Sequence, residues 1–288
     1  VECSLDSGFA SICDKTSIMV AWKRIYLEKD NMLKKGATVT SAFATDFDLG
    51  IFDDVLTVDD TSDFSVGDNV TVFTSAGATE NRTVTAKTAT TLTVGDLGIP
   101  LPKYSGVKLT ADNTSYTAGL DLVDEAYGDT TDGSDGGAFV EFVDAPTGSG
   151  NIPKYTSFPN DGDIVSFAFC EHWFNNSGSK ANLFQIVAAN KHADGSFGTT
   201  AQAKNICFIT TGNFAFGANN AAAISETTVH EIAHQFQVAN GHVDQNVNEK
   251  NHANTDECVM SYNRDRDNSI AEFDTDCLYD IRDAVEPR

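Results

Sequence analysis

The sequence predicts an α+β fold, in which a β-rich region is followed by two helices. Short apolar runs recur between residues 18 and 209, and such runs, bounded by turn-forming residues, are typical of strands. Residues 221–239 instead place apolar side chains close to the i, i+3, i+4 spacing of an amphipathic helix. A second helical pattern near the C-terminus puts four apolar residues on one face: Phe273, Cys277, Leu278 and Ile281.

The acidic composition excludes some classes of partner. The chain of 288 residues carries 42 acidic and 19 basic side chains, for a formal charge of −23. This charge repels phosphate backbones and anionic membrane surfaces, so we expect neither a nucleic-acid nor a membrane partner. No stretch reaches the roughly 18 apolar residues that a membrane-spanning helix needs. The hydrophobic content of 41% is ordinary for a folded domain and argues against disorder.

Six cysteines without any C-x-x-C pair argue against a zinc knuckle or a thioredoxin-type site. They predict a secreted or extracellular protein with up to three disulfide bonds, and buried thiols are the alternative. The chain starts at Val1 with no signal-peptide pattern, which predicts a processed or excised protein. Pairing of neighbours in sequence would give these bonds: Cys3–Cys13, Cys170–Cys207 and Cys258–Cys277.

The first part of the chain predicts one strand and then a separate β-rich module. Residues 22–27 alternate apolar and polar side chains, so the N-terminal segment 1–50 is expected to contribute to the main sheet. Residues 51–110 are rich in Thr, Val, Gly and Asp and predict an inserted small antiparallel barrel or sandwich. Nothing in this module has a catalytic pattern, so it is expected to be a spacer, a substrate-recognition insert or a docking module. Its predicted strands are 56–58, 69–73, 82–85 and 91–94.

Residues 111–288 are expected to form the main domain. Its Asp-rich stretch 129–137 can supply oxygen ligands to Ca²⁺, and a solvated loop is the alternative. The apolar runs that follow have the length and the Phe, Ile and Val content of sheet strands. These runs are residues 138–143, 164–169, 183–187 and 206–209.

The sequence His230-Glu231-Ile232-Ala233-His234 is a complete H-E-x-x-H pattern inside the predicted helix. Residues four apart share a helix face, so His230 and His234 can ligate one Zn²⁺. Glu231 then stands where zinc peptidases place the general base. Only six of the 288 residues are histidine, so the pattern is rare by chance. The alternative is an ordinary amphipathic helix with two surface histidines.

A catalytic zinc site has three protein ligands and one water, so a third ligand must come from elsewhere. A chain reversal at Asn240-Gly241 would return His242 toward the metal, which makes His242 the preferred candidate. Asp244 is close enough in sequence to be a substitute ligand or an acceptor for an imidazole N–H. The remaining candidates, which suit a more distal ligand, are Glu249, His252 and Glu257.

The downstream sequence Val259-Met260-Ser261-Tyr262 resembles the Met-turn of the metzincin zinc peptidases, in their serralysin and astacin branches. The resemblance implies a catalytic domain with a twisted mixed sheet, a zinc helix and a C-terminal helix. It also implies that Met260 is the apolar floor beneath the histidine ligands. Tyr262 would be a fifth ligand or a donor to the oxyanion of the tetrahedral intermediate.

The chain departs from the metzincin pattern H-E-x-x-H-x-x-G-x-x-H after the second histidine. Gln237 stands at the glycine position and Asn240 at the third histidine position, whereas Gly241 and His242 follow later. We interpret this as a helix extended by about half a turn, with the reversal displaced toward Gly241.

The resemblance implies a zinc-dependent endopeptidase that acts on a protein or peptide substrate. Zn²⁺ is the expected cofactor, Ca²⁺ a further candidate ion, and Glu231 the general base for a metal-activated water. Two alternatives stay open: a secreted binding or structural protein with a non-catalytic zinc site, and a zinc peptidase with a distal Glu as third ligand. The acidity favours neutral or basic peptides as substrates.

Overall fold

The computed structural model describes two six-stranded sheets and two helices. The described residues are 23–44, 54–115, 127, 140–144, 151–156, 163–176, 183–188, 198–201, 206–210, 221–236, 259–260, 273, 277–278, 281 and 284. The strands are β1 (Lys23–Met32), β2 (Ala37–Thr38), β3 (Asp54–Thr57), β4 (Asn69–Phe73), β5 (Thr79–Lys87), β6 (Thr91–Val94), β7 (Gly106–Leu109), β8 (Val140–Asp144), β9 (Asn151–Ile152), β10 (Leu183–Ala188), β11 (Gly198–Ala201) and β12 (Ile206–Thr210). The helices are α1 (Asp163–Asn176) and α2 (Ala221–Gln235). Neither helix has the length and apolar content needed to cross a membrane.

The first sheet is mixed, with the strand order β11-β12-β10-β1-β8 and with β9 also paired to β1. β1 runs parallel to β8, β9 and β10, and β10 runs parallel to β12. β11 is antiparallel to β12 and lies at the edge of the sheet. The predicted strands at 22–27, 138–143, 183–187 and 206–209 are confirmed, with small shifts at their ends.

The two faces of the mixed sheet are covered by different helices. Side chains alternate between the faces of a strand, so residues of opposite parity on β1 enter different cores. Ile25 and Leu27 pack in one buried cluster with Val229 of α2. Met32 packs in a second buried cluster with Trp173 of α1. The sheet therefore separates α2 from α1.

Helix α1 corrects the predicted strand at residues 164–169, which was wrong. A short apolar run does not by itself distinguish a strand from a buried helix segment. Here the pattern continues past the run: Phe169, Cys170 and Trp173 are fully buried at spacings that share one helix face. Polar residues follow at Asn175 and Asn176, both exposed. The burial pattern from Phe169 to Asn176 therefore follows a helix rather than a strand.

The second sheet is antiparallel and curls into a small barrel. Its strand order is β2-β7-β4-β5-β6-β3, and a bridge between Val39 and Val58 joins the two ends. The four strands predicted within this region are confirmed. The first strand of this sheet is β2, which lies before residue 51, the predicted start of the module. The domain boundaries themselves stay a prediction. Its interior is lined by fully buried aliphatic side chains: Leu56, Val58, Val70, Val72, Val84, Leu92, Val94 and Val107.

The chain enters and leaves the barrel at adjacent points. Leu33, just after β1, forms an antiparallel bridge with Ser115. The N–H of Lys34 donates to the carbonyl of Thr114 at 2.9 Å. The barrel thus occupies the connection between β1 and its parallel neighbour β8, where a helix is the usual crossover.

Aromatic contacts fix the barrel against α1. The indole N–H of Trp173 donates to the carbonyl of Tyr104 at 3.1 Å, and the Phe73 ring lies 5.9 Å from the Trp173 ring. Ser75 Oγ lies 3.1 Å from His172 Nε2, and burial lowers the pKa of His172. The barrel therefore docks on the α1 side of the mixed sheet, opposite α2.

Polar contacts hold the barrel to the segment after β9. Lys154 Nζ pairs with Asp63 at 2.6 Å and with Asp60 at 3.5 Å. Asp59 accepts hydrogen bonds from Thr156 N at 2.6 Å and from Thr156 Oγ1 at 2.8 Å. Burial raises the pKa of Asp59 above its ordinary value, although these hydrogen bonds act in the opposite direction. Charged groups thus fix the barrel where it meets the sheet.

The cysteines do not support the predicted disulfide framework. Cys170 and Cys277 are buried in the clusters under α1 and α2 respectively. No two cysteines of the described residues lie at disulfide distance, so the predicted Cys170–Cys207 bond is not supported. Cys3, Cys13 and Cys258, like the Asp-rich stretch 129–137, lie outside the described residues. Export therefore stays a prediction, without support from these bonds.

Candidate metal centre

Helix α2 presents the H-E-x-x-H residues beside a buried apolar face. Val229, Ile232, Ala233 and Phe236 of this segment pack into the core between α2 and the mixed sheet. This is the amphipathic pattern that the sequence predicts. The described helix ends at Gln235, whose side-chain amide donates to the carbonyl of Ile206 at 3.2 Å. That bond ties the end of α2 to the start of β12.

The side chains of His230, Glu231 and His234 converge on one point. One ligand atom from each lies within 4.8 Å of the other two. His230 and Glu231 are only 6% and 5% exposed, and His234 is partly buried. The two imidazole rings are perpendicular, and their Nε2 atoms are 3.1 Å apart. Two nitrogens and a carboxylate thus form a compact donor set within five consecutive residues of the helix.

The orientation of His230 leaves the correct nitrogen for a metal. Its Nδ1 lies 2.9 Å from the carbonyl oxygen of Val259, which can only accept, so Nδ1 carries the proton. In the neutral ring Nε2 then keeps its lone pair, and it lies 3.1 Å from His234 Nε2. A backbone carbonyl that fixes the tautomer in this way is the usual partner of a metal-binding histidine.

The spacing of the two histidines fits zinc. Zinc–nitrogen bonds are about 2.0–2.1 Å long, so nitrogens 3.1 Å apart would subtend about 95–102° at a shared ion. This is near the tetrahedral value of about 109°. Burial also lowers the pKa of His234, which favours the neutral imidazole that binds metals. Imidazole nitrogen is a preferred zinc ligand, so the residues present fit the ion that the sequence predicts.

Met260 packs against helix α2. Val259 and Met260 form a turn, and Met260 is fully buried in the same cluster as Val229, Ile232 and Ala233. The turn thus supplies both an apolar contact to α2 and the carbonyl that orients His230. The role of Met260 as a floor under the metal stays a prediction.

Sequence reasoning missed two contributors to this site. One is the main-chain carbonyl of Val259, which has no residue-specific signal. The other is Tyr127, whose hydroxyl donates to the carbonyl of Val229 at 2.8 Å. Tyr127 is 102 residues from Val229 in sequence and lies just before the Asp-rich stretch, and no spacing rule connects it to α2.

Several predicted site residues lie outside the described residues. His242, the preferred third ligand, Asp244, its substitute, and Tyr262, the predicted oxyanion donor, all belong to this group. The further ligand candidates Glu249, His252 and Glu257 do as well. Of the predicted ligands, the structure therefore brings together His230 and His234, with Glu231 between them.

Comparison with known proteins gives no relative. No protein-family model matches the sequence, and no match is found among curated proteins or solved structures.

Proposed function

We propose that the protein is a zinc-dependent endopeptidase of the metzincin type. The observation that carries the proposal is the convergence of two imidazole nitrogens and one carboxylate on α2 within 4.8 Å. The Val259 carbonyl, which leaves Nε2 of His230 available to a metal, adds support because a surface histidine needs no such partner. His242 is the proposed third ligand, and Asp244 or a distal Glu is its alternative.

The arrangement around α2 also favours this proposal. The strands of the mixed sheet precede α2 in sequence, and the turn at Val259-Met260 packs against α2. In the C-terminal segment, Cys277, Leu278 and Ile281 are helical and buried in the same cluster. The order of sheet, helix α2, turn and helical C-terminal residues supports the proposal, because the metzincin resemblance implies the same order.

The proposed mechanism assigns the proton transfers to Glu231. A bound zinc ion would lower the pKa of a water molecule and polarise the scissile carbonyl. The carboxylate of Glu231 removes the proton from the attacking water and then passes it to the leaving amine. Burial of Glu231 excludes bulk water from this carboxylate, which protects the proton during transfer. Tyr262 is proposed to donate to the oxyanion.

The edge strand β11 is the proposed binding site for an extended peptide. In the described part of the sheet, β11 pairs only with β12. Helix α2, which carries the histidines, packs against both strands. A peptide can add to such an edge through main-chain hydrogen bonds. The formal charge of −23 favours neutral or basic peptides there.

The decisive experiment replaces Glu231 with glutamine in the full chain. We expect E231Q to lose hydrolysis of casein by at least about 100-fold, because the general base is gone, while the zinc content measured by elemental analysis stays unchanged. E171Q makes the same charge change on α1, across the sheet, and should cleave casein at the wild-type rate. Wild-type activity in E231Q would refute the mechanism. A wild-type chain that binds zinc but cleaves nothing would instead indicate a non-catalytic zinc site in a binding or structural protein.

A further inference from the structure

We propose that Tyr127 is a positioning residue that fixes α2 at the metal ligands, an inference that rests on the proposed zinc site. Its hydroxyl donates to the carbonyl of Val229, the residue directly before His230, at 2.8 Å. The side chain is fully buried, so this bond is shielded from competing water. Tyr127 therefore contacts the helix backbone at the residue directly before the first proposed ligand, His230.

The ring of Tyr127 holds the hydroxyl in place from three sides. Its centroid lies 5.0 Å from the Phe142 ring on β8 and 4.9 Å from the Phe273 ring of the C-terminal segment. It also lies 5.9 Å from the Phe236 ring, just after the end of α2. Tyr127 thus touches the helical segment at two positions, Val229 and Phe236, which bracket both histidines. The sheet, α2 and the C-terminal segment are joined through this one side chain.

The hydroxyl of Tyr127, rather than its ring, indicates the positioning role. A phenylalanine would fill the same space among three aromatic rings, whereas a hydroxyl in an apolar cluster is costly unless it is hydrogen-bonded. A helix carbonyl normally accepts from the N–H four residues later, so Val229 does not need Tyr127 for its own satisfaction. The bond instead restrains the rotation and position of α2 relative to the sheet.

Two independent anchors then hold His230. Tyr127 fixes its backbone through Val229, and the Val259 carbonyl fixes its ring through Nδ1 at 2.9 Å. A metal site gains affinity when its ligands are held in the binding geometry before the ion arrives. Loss of the Tyr127 hydroxyl should therefore weaken zinc binding more than it weakens folding.

The test compares Y127F with Y155F in the full chain. Tyr155 is buried in the cluster on the α1 side, so Y155F removes a hydroxyl of the same kind away from α2. Zinc affinity is measured by chelator competition, and site geometry by the d–d absorption of the cobalt-substituted protein. Partners that hydrogen-bond directly to a ligand typically contribute 10–100-fold in metal affinity, so a residue acting through the backbone should contribute about threefold to tenfold. We expect that loss and a shifted cobalt spectrum in Y127F, and neither change in Y155F.

Melting of the metal-free proteins separates positioning from folding. A lower melting temperature of Y127F with wild-type zinc affinity and cobalt spectrum would overturn the proposal, because the hydroxyl would then be structural only. A wild-type chain that binds no zinc would overturn this inference and the proposed function together. Zinc binding that weakens in Y127F, in a chain without peptidase activity, would support the positioning role and refute only the peptidase.

Discussion

Replacing Gly106 with alanine tests how tightly the barrel is joined to the rest of the protein. Gly106 on β7 is directly opposite Phe73 on β4, and the Phe73 ring lies over it. A methyl group at Gly106 would come within 2.2 Å of Phe73 Cζ, far inside the ordinary contact range of 3.4–4 Å. The ring must therefore move by more than 1 Å, and it is the ring that packs against Trp173 of α1.

The magnitude follows from three contributions. Overpacking of a filled core costs about 1–3 kcal/mol. Displacement of Phe73 from Trp173 removes an aromatic pair that contributes about 0.5–1.5 kcal/mol. The reduced entropy of the unfolded chain returns about 0.4–1 kcal/mol when glycine becomes alanine. Together, these contributions predict that G106A lowers the free energy of unfolding by about 0.5–4 kcal/mol.

Urea unfolding of G106A beside G98A measures this effect. The added methyl at Gly98 would meet Glu80 Oε1 at 3.5 Å, an ordinary contact, so G98A should change stability by less than about 0.5 kcal/mol. In an F73L background the clash is relieved, and G106A should cost less than it does in the wild type. Equal stability of G106A and G98A would refute the reasoning, as would an undiminished cost in F73L.

Three further predictions concern the histidines, the Met-turn and the metal. Burial lowers the pKa of His172 in the folded state, so the unfolded chain binds the proton more readily. The free energy of unfolding should therefore fall as the pH drops below about 6.5. H172Q should reduce this fall, measured by urea unfolding from about pH 7 to about pH 5. M260A should lower the free energy of unfolding by about 2–5 kcal/mol, whereas the control M260L should cost less than about 1.5 kcal/mol, and equal effects would contradict burial of Met260. Zinc at a hundredfold excess over its dissociation constant should stabilise the wild type by about 2.7 kcal/mol, and a melting-temperature rise that persists in H230A would place the metal elsewhere.

Locally encoded features were predictable from the sequence. The strands of the barrel have alternating side chains and turn residues between them, and Gly67 and Gly77 in its turns adopt the positive φ angles that glycine favours. Helix α2 carries its own periodicity and its own H-E-x-x-H, so both the element and three of its site residues follow from a contiguous segment. Local information sufficed because neighbours in sequence are neighbours in space there.

Features that depend on distant packing were not predictable. The residues at 164–169 formed a helix rather than the expected strand, because α1 covers the mixed sheet and contacts the barrel through Trp173. The partner of His230 is a main-chain carbonyl at Val259, and that of Val229 is a hydroxyl at Tyr127. Each of these contacts joins two segments that are far apart in sequence and come close together only after the sheet has formed.

The adjacent entry and exit of the barrel have a consequence for the order of folding. Because Leu33 pairs with Ser115, the barrel strands β2 to β7 lie within one continuous stretch and can close without any later residue. β1 cannot pair with β8 and β10 until these strands have left the ribosome, which happens only after the whole barrel has been synthesised. Contacts close in sequence form sooner than distant ones. We expect the barrel to fold first during synthesis and to offer Phe73 and Tyr104 as the ready-made surface on which α1 docks.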